Sequence, residues 1–205
     1  MESKHYTPEE MEEKCIVRFK KLNYMGAGEK RKEGPIPAGV YKMLAAPAFA
    51  ITAPEFDNGP WGEARVKVPD YVNIIAELPP GGGVPLHMHA KTIETFMALT
   101  GKWKLQWGDK GEYETILEPF DLFAVPAAVS RRFENVGDET AYLLVLISGG
   151  THDMDDLIYA PSVGDDIAAK FGAGALEHVK KVGLDRKSTR LNSSHSSVSR
   201  MPSSA

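Results

Sequence analysis

Residues Gly81-Gly-Gly-Val-Pro-Leu-His87-Met-His89-Ala-Lys-Thr-Ile-Glu94-Thr-Phe-Met-Ala-Leu-Thr-Gly101 decide how the chain reads. Side chains alternate between the two faces of a strand, so His87 and His89 share one face and Met88 takes the other. Glu94 follows five residues later, past the polar break Ala90-Lys91-Thr92. Two imidazoles and one carboxylate form a ligand set suited to Fe, Mn, Ni or Zn as divalent ions. A single inward histidine is more often a satisfied core residue, whereas a pair at this spacing with a downstream glutamate points to metal ligation. Glu94 is either the third ligand or the partner of a cation, because a buried carboxylate is rarely left alone.

The same alternation extends outward. Ala64–Val68 and Tyr71–Leu78 read as strands, and Pro79-Pro80-Gly81-Gly82-Gly83 turns the second of them into the histidine strand. Glu94–Leu99, Lys102–Trp107, Tyr113–Leu117, Phe123–Val125, Ser130–Asn135 and Tyr142–Ser148 follow, each bounded by Gly, Pro or Asp. Short strands at such regular spacing predict an all-β sandwich or barrel. Gly108–Gly111 and Val136–Glu139 have hairpin-turn composition. Thr7-Pro8-Glu9-Glu10 is a helix start with capping-box chemistry, predicting a short helix to about Cys15. Residues 26–37 read as a loop, and residues 39–62 as an irregular segment with one or two edge strands. After Gly150 the pattern becomes helical, over Pro161–Phe171 and Ala175–Val182.

A second run, Phe120-Asp-Leu-Phe-Ala-Val-Pro126-Ala-Ala128-Val-Ser-Arg131-Arg-Phe-Glu-Asn135, lies downstream. The first run, Gly-x5-His-x-His-x4-Glu-x6-Gly, resembles the first signature motif of the cupin superfamily at every position. The second resembles the second cupin motif in part: Pro126 and Asn135 keep their places, while Phe120 and Ala128 replace glycines. Arg131 stands where the family places a third metal-binding histidine. The resemblance implies a double-stranded β-helix (jelly-roll) barrel with short flanking helices. Its divisions are a 1–62 extension, a 63–150 barrel, a 151–184 helical extension and a 185–205 tail. It further implies three metal ligands, His87, His89 and Glu94, and a family habit of homodimer formation.

Arg131 separates the functional readings. It shares a face with Phe133 and Asn135, opposite Arg132 and Glu134. Its guanidinium can turn from the metal and bind a carboxylate or phenolate of the substrate in its planar fork. It can instead pair with Glu94 and leave the protein metal-free, or a register shift can turn it to solvent. The leading expectation is a metal-dependent enzyme resembling quercetin-dioxygenase-like cupins, acting on a small organic anion or phenol. Arg131 is then its catalytic residue, with Phe96, Trp103, Leu105 and Phe133 as apolar walls. Isomerase or hydrolytic chemistry would use the same ion as a Lewis acid. The alternative is a non-catalytic binding or sensing module with a metal-free site. His5, His152 and His178 have no supporting context.

Composition limits the partners. The chain has 205 residues, enough for one well-buried domain. Residues 185–205 are rich in Ser and Arg and resemble a reading-frame translation of a DNA-sequencing adapter. They hold four of the 24 basic residues and one of the 28 acidic ones, so residues 1–184 carry net charge −7. An acidic domain argues against nucleic acid or an anionic membrane as partner and leaves a small-molecule ligand. Cys15 is the only cysteine, and no apolar run approaches the ~20 residues of a membrane span, so the cytoplasm is the expected compartment.

Overall fold

Alternating burial organises the strands, and three of the four α-helices share a second apolar cluster. The structure, a computed structural model, describes residues 3–25, 36–55, 64, 66–149 and 156–181. Helix α1 (Pro8–Lys14) begins where Thr7 Oγ1 accepts from the Glu10 amide at 3.2 Å and Glu10 Oε2 accepts from the Thr7 amide at 2.9 Å. Then come β1 (Tyr24–Met25), α2 (Ala38–Leu44), β2 (Ala48–Ala53), β3 (Val66–Lys67), β4 (Tyr71–Leu78), β5 (His87–His89) and β6 (Ile93–Ala98). The chain continues through β7 (Trp103–Trp107), β8 (Tyr113–Leu117), β9 (Leu122–Val125), β10 (Arg131–Asn135), β11 (Ala141–Ser148) and β12 (Leu157–Tyr159). It closes with α3 (Pro161–Phe171) and α4 (Ala173–Lys181).

Pairing among the described residues gives two separate sheets. The first runs β1-β2-β4-β11-β6-β9 with β3 beside β2, and the second β12-β5-β10-β7-β8. All neighbours are antiparallel except β2 and β3. In β4 and β11 every second residue is buried, and the two pair along their whole length, from Tyr71↔Ser148 to Leu78↔Ala141. Their inward side chains meet Trp103, Leu105 and Phe133 of the second sheet in one apolar cluster. The Phe96 and Phe133 rings, one from each sheet, lie 5.3 Å apart. Each such buried side chain contributes roughly 1.5–3 kcal/mol. No helix among the described residues is long and apolar enough to cross a membrane.

Several segments differ from the sequence expectation. Ala48–Ala53 is no edge strand: β4 flanks it on one side and β1 and β3 on the other. Its alanines carry little intrinsic strand preference, so the ladder to β4 imposes the conformation. Helix α2 falls where an irregular segment is expected; Ile36, Val40 and Leu44 bury against Val163, Ile167, Ala175 and Val179 of α3 and α4. The N-terminal segment therefore supplies part of the first sheet and half of a second core. Val136–Glu139 is not a hairpin but a crossover, since β10 and β11 belong to different sheets. Asn135 folds that crossover, accepting from the Gly137 amide at 2.9 Å and donating to the carbonyls of Glu139 and Leu78 at 2.8 and 2.9 Å. The loop at 26–35, most of the segment from 56 to 65 and the tail at 185–205 lie outside the described residues.

Phe120 and Ala128, at the glycine positions of the second motif, keep left-handed backbone, with φ of 76° and 62°. The Phe120 amide bonds the Ala98 carbonyl and the Ala128 amide the His89 carbonyl, both at 2.7 Å. These turns tie down β6 and β5, so the backbone shape outlasts the glycines that would favour it. A side chain in this region costs about 1–2 kcal/mol, of which glycine's greater unfolded entropy cancels about 0.5–1. Both side chains are exposed, Phe120 by 78 %, so little packing is lost. Phe120→Gly and Ala128→Gly should each raise the thermal midpoint by about 1–4 °C. A scanning-calorimetry midpoint lowered in both variants would contradict this account.

Candidate metal centre

β5 has only three residues, yet it carries two polar side chains inward. Its burial alternates, with His87 and His89 enclosed and Met88 half-buried between them. β10 fixes it on one side, with Arg131 opposite His87. β12 fixes it on the other, with Leu157 opposite His89 and Tyr159 opposite His87. Glu94 comes from the facing sheet, on β6 between Ile147 of β11 and Val125 of β9. His87, His89, Glu94 and Arg131 are all buried.

Hydrogen bonds settle how the imidazoles face. His87 Nδ1 lies 2.9 Å from the Pro85 carbonyl, and His89 Nδ1 lies 2.9 Å from Asp156 Oδ1. Both partners are acceptors, so in the neutral rings each Nδ1 carries the proton and each Nε2 presents a lone pair. Those two Nε2 atoms lie 3.4 and 3.8 Å from Glu94 Oε2. One ligand atom from each of the three residues falls within 4.8 Å of the others. When both rings are neutral, three acceptors converge with no proton between them.

Arg131 stands beside Glu94. Its Nε donates to Glu94 Oε2 at 2.8 Å and its Nη1 to the Val129 carbonyl at 3.0 Å, while Nη2 is buried without a hydrogen-bond partner among the described residues. A carboxylate offers about four lone-pair sites, so this bond leaves Glu94 free to ligate. Burial alone would raise the Glu94 pKa, but at acid pH, where the imidazoles carry a second proton, His87, then the Arg131 guanidinium and His89 outweigh it and hold the carboxyl at about 2, below its ordinary 4.5. Asp156 is likewise held well below the usual carboxylate range: burial opposes ionisation, and the donors on His89 and Thr92 prevail. The Thr92 amide and hydroxyl reach Asp156 Oδ2 at 2.9 and 2.7 Å, which also pins the loop between β5 and β6.

A cavity of about 140 Å³ opens beside the three converging groups. Of the expected apolar walls only Phe133 lines it; Phe96, Trp103 and Leu105 fill the core. Arg131 is not among its lining residues, since its guanidinium is turned to Glu94. The walls come instead from Ile74 and Ala76 of β4, Val145 and Ile147 of β11, Ala48, and the Leu44–Ala46 segment. Tyr159 completes it, donating to the Leu44 carbonyl at 2.9 Å. Burial and the Glu94 charge keep its phenol protonated. Sequence reasoning missed Asp156 and Tyr159; β12 has three residues, too few to show a period of two. His152 lies outside the described residues, His178 is half-buried and bonds Gly174 of its own helix, and His5 is exposed.

The donor set fits a divalent ion. At metal–ligand distances of about 2.0–2.2 Å, tetrahedral ligands stand about 3.3–3.6 Å apart. The observed 3.4 and 3.8 Å are close to this, and both exceed the 2.7–2.9 Å of a charge-assisted hydrogen bond.

Residues 74–147 match a family model described as a cupin domain. The match spans 74 of the 205 residues, and the two mostly antiparallel sheets agree with a β-rich fold of that kind. Among solved structures, the chain is similar to the cupin domain of Schizosaccharomyces pombe Cnp3, at 21% identity and TM-score 0.37, covering 40% of this chain and 57% of that one. The protein TT1209 from Thermus thermophilus matches at 24% identity and TM-score 0.38, covering 42% and 78%. An uncharacterised Klebsiella pneumoniae protein with a double-stranded β-helix domain matches at 18% and 0.40, covering 45% and 76%. No curated protein matches the sequence.

Because the folded Glu94 pKa is depressed, its ionisation stabilises the fold fully above 4.5, and that contribution disappears as pH falls through about 2. Glu94→Gln should therefore be less stable than wild type at pH 7, with the gap narrowing between pH 4.5 and 2. Urea unfolding of chelator-treated protein measures this. A gap independent of pH would contradict the ionised Glu94 described here.

Proposed function

We propose that the protein is a metal-dependent enzyme acting on a small organic anion or phenol, with oxygenase chemistry as the leading reaction class. One observation carries the reading: both imidazoles turn Nδ1 to an acceptor, so that in neutral rings two Nε2 lone pairs face the Glu94 carboxylate oxygen at 3.4 and 3.8 Å. With neutral imidazoles, Glu94, Asp156 and Arg131 leave this buried cluster at net charge −1, which is costly to bury uncompensated. His87, His89 and Glu94 would hold the divalent ion, identity open among Fe, Mn, Ni and Zn. Three protein ligands keep positions open for a substrate oxygen and for O₂ when the ion is bound.

The chain's own residues supply the rest. Asp156 and the Pro85 carbonyl fix ring tautomer and orientation. Arg131 acts through Glu94, keeping it ionised and aimed, and is a positioning residue in this reading. The aliphatic wall excludes water around the reacting group, and Tyr159 remains a neutral phenol at its edge.

A second reading rests on the 2.8 Å Arg131–Glu94 bond. If imidazolium protons supply the missing positive charge, the site is a metal-free module that binds a small anion reversibly. Elemental analysis of the purified full chain, expressed with Fe, Mn, Ni and Zn supplied, separates the two. The enzyme reading expects about one equivalent of metal, at least about tenfold less in His89→Ala, and oxygen uptake with a member of a phenol and carboxylic-acid panel. Metal below about a tenth of an equivalent in both folded proteins would overturn it in favour of the binding module.

A further inference from the structure

The cavity beside the histidines has a distinctive chemistry. Its lining is aliphatic apart from Phe133, and the polar side chains that reach it are His87, His89, Glu94 and Tyr159. Of these, the first three converge on one point at one end, and the Tyr159 proton is already committed to the Leu44 carbonyl. Among the described residues no lysine, arginine, amide or further hydroxyl lines the walls. A polyhydroxylated ligand or a di-acid would leave polar groups unpaired there, at a cost of about 1–3 kcal/mol each. Size adds a second limit. At about 140 Å³ the space resembles the engineered apolar cavity of about 150 Å³ that takes up benzene.

We infer that the site takes a monoanion with one ring-sized hydrocarbon body and a single oxyanion head, and that the facing alanines Ala48 and Ala76 set the size limit. The assignment rests on the metal-dependent reading above, because without the ion the anion would face the Glu94 carboxylate and two imidazole lone pairs, with Arg131 already paired to Glu94. The two alanines are direct cross-strand partners on β2 and β4. Both line the cavity and both are otherwise packed in the core, so a larger side chain at either position has only the cavity to grow into. A flavonol-sized substrate, which the quercetin-dioxygenase resemblance would imply, exceeds this space.

The test is calorimetric titration of the full chain loaded with Zn²⁺, a redox-inert ion, using benzoate and 2-naphthoate as probes, with zinc content measured on the same samples. Benzoate should bind, and 2-naphthoate should bind at least about tenfold more weakly, the scale at which an apolar pocket discriminates by size. Chelation should abolish benzoate binding. Ala76→Leu should abolish it too, and the smaller Ala48→Val should weaken it, both with zinc content unchanged. Zinc-loaded protein that ignores benzoate, takes 2-naphthoate equally well, or binds benzoate undiminished in both variants overturns the assignment and leaves the metal reading standing. Failure to hold zinc overturns the metal reading itself, and this assignment with it.

Discussion

Glu94 is an ionised carboxylate enclosed between two sheets, and the groups that answer its charge come from the sheet opposite its own. Its own strand belongs to the first sheet, while the imidazoles and the guanidinium that surround it project from β5 and β10 of the second. Replacing either member of the Arg131–Glu94 pair leaves an uncompensated buried charge, which typically costs about 3–5 kcal/mol. The polar cluster therefore sets the relative placement of the sheets at one end of a core otherwise made largely of Val, Ile, Leu, Phe and Trp.

Asp156 extends the constraint in sequence. It lies 67 residues from His89 and binds that ring with one oxygen and the Thr92 loop with the other. β12 follows it directly, pairs with β5, and delivers Tyr159 to the Leu44 carbonyl. A chain of contacts thus runs from the metal centre to the α2–α3–α4 cluster, which joins an N-terminal helix to two C-terminal ones. The cavity owes one wall to this meeting, since Leu44 belongs both to the cluster and to the lining.

What could be read from sequence follows from which signals are local. Period-two alternation places His87 and His89 on one face, Glu94 is joined to them by the spacing of the motif, and the structure brings the three together. The long strands β4 and β11 alternate over eight residues each and are legible for the same reason. The alanines of β2 say nothing locally, because their strand exists through its partner β4. Asp156 is invisible in sequence because its role depends on a contact across the sheet, and β12 is too short to announce itself. Phe120 and Ala128 show the converse: the residue type argues against a glycine turn, and the tertiary hydrogen bonds impose one. Arg131 is legible as inward-facing by alternation, but its turn toward Glu94 and away from the cavity is one of several arrangements the sequence leaves open.

The central claim is that His87 and His89 present bare Nε2 lone pairs to a shared cation. Long-range ¹⁵N–¹H correlation spectra of the full chain labelled with ¹⁵N-histidine, recorded before and after one equivalent of Zn²⁺, address it directly. The account predicts Nδ1-protonated rings for both residues and a zinc-induced shift confined to their two Nε2 signals among the six histidines of the chain. Rings protonated on both nitrogens and unmoved by zinc would contradict it.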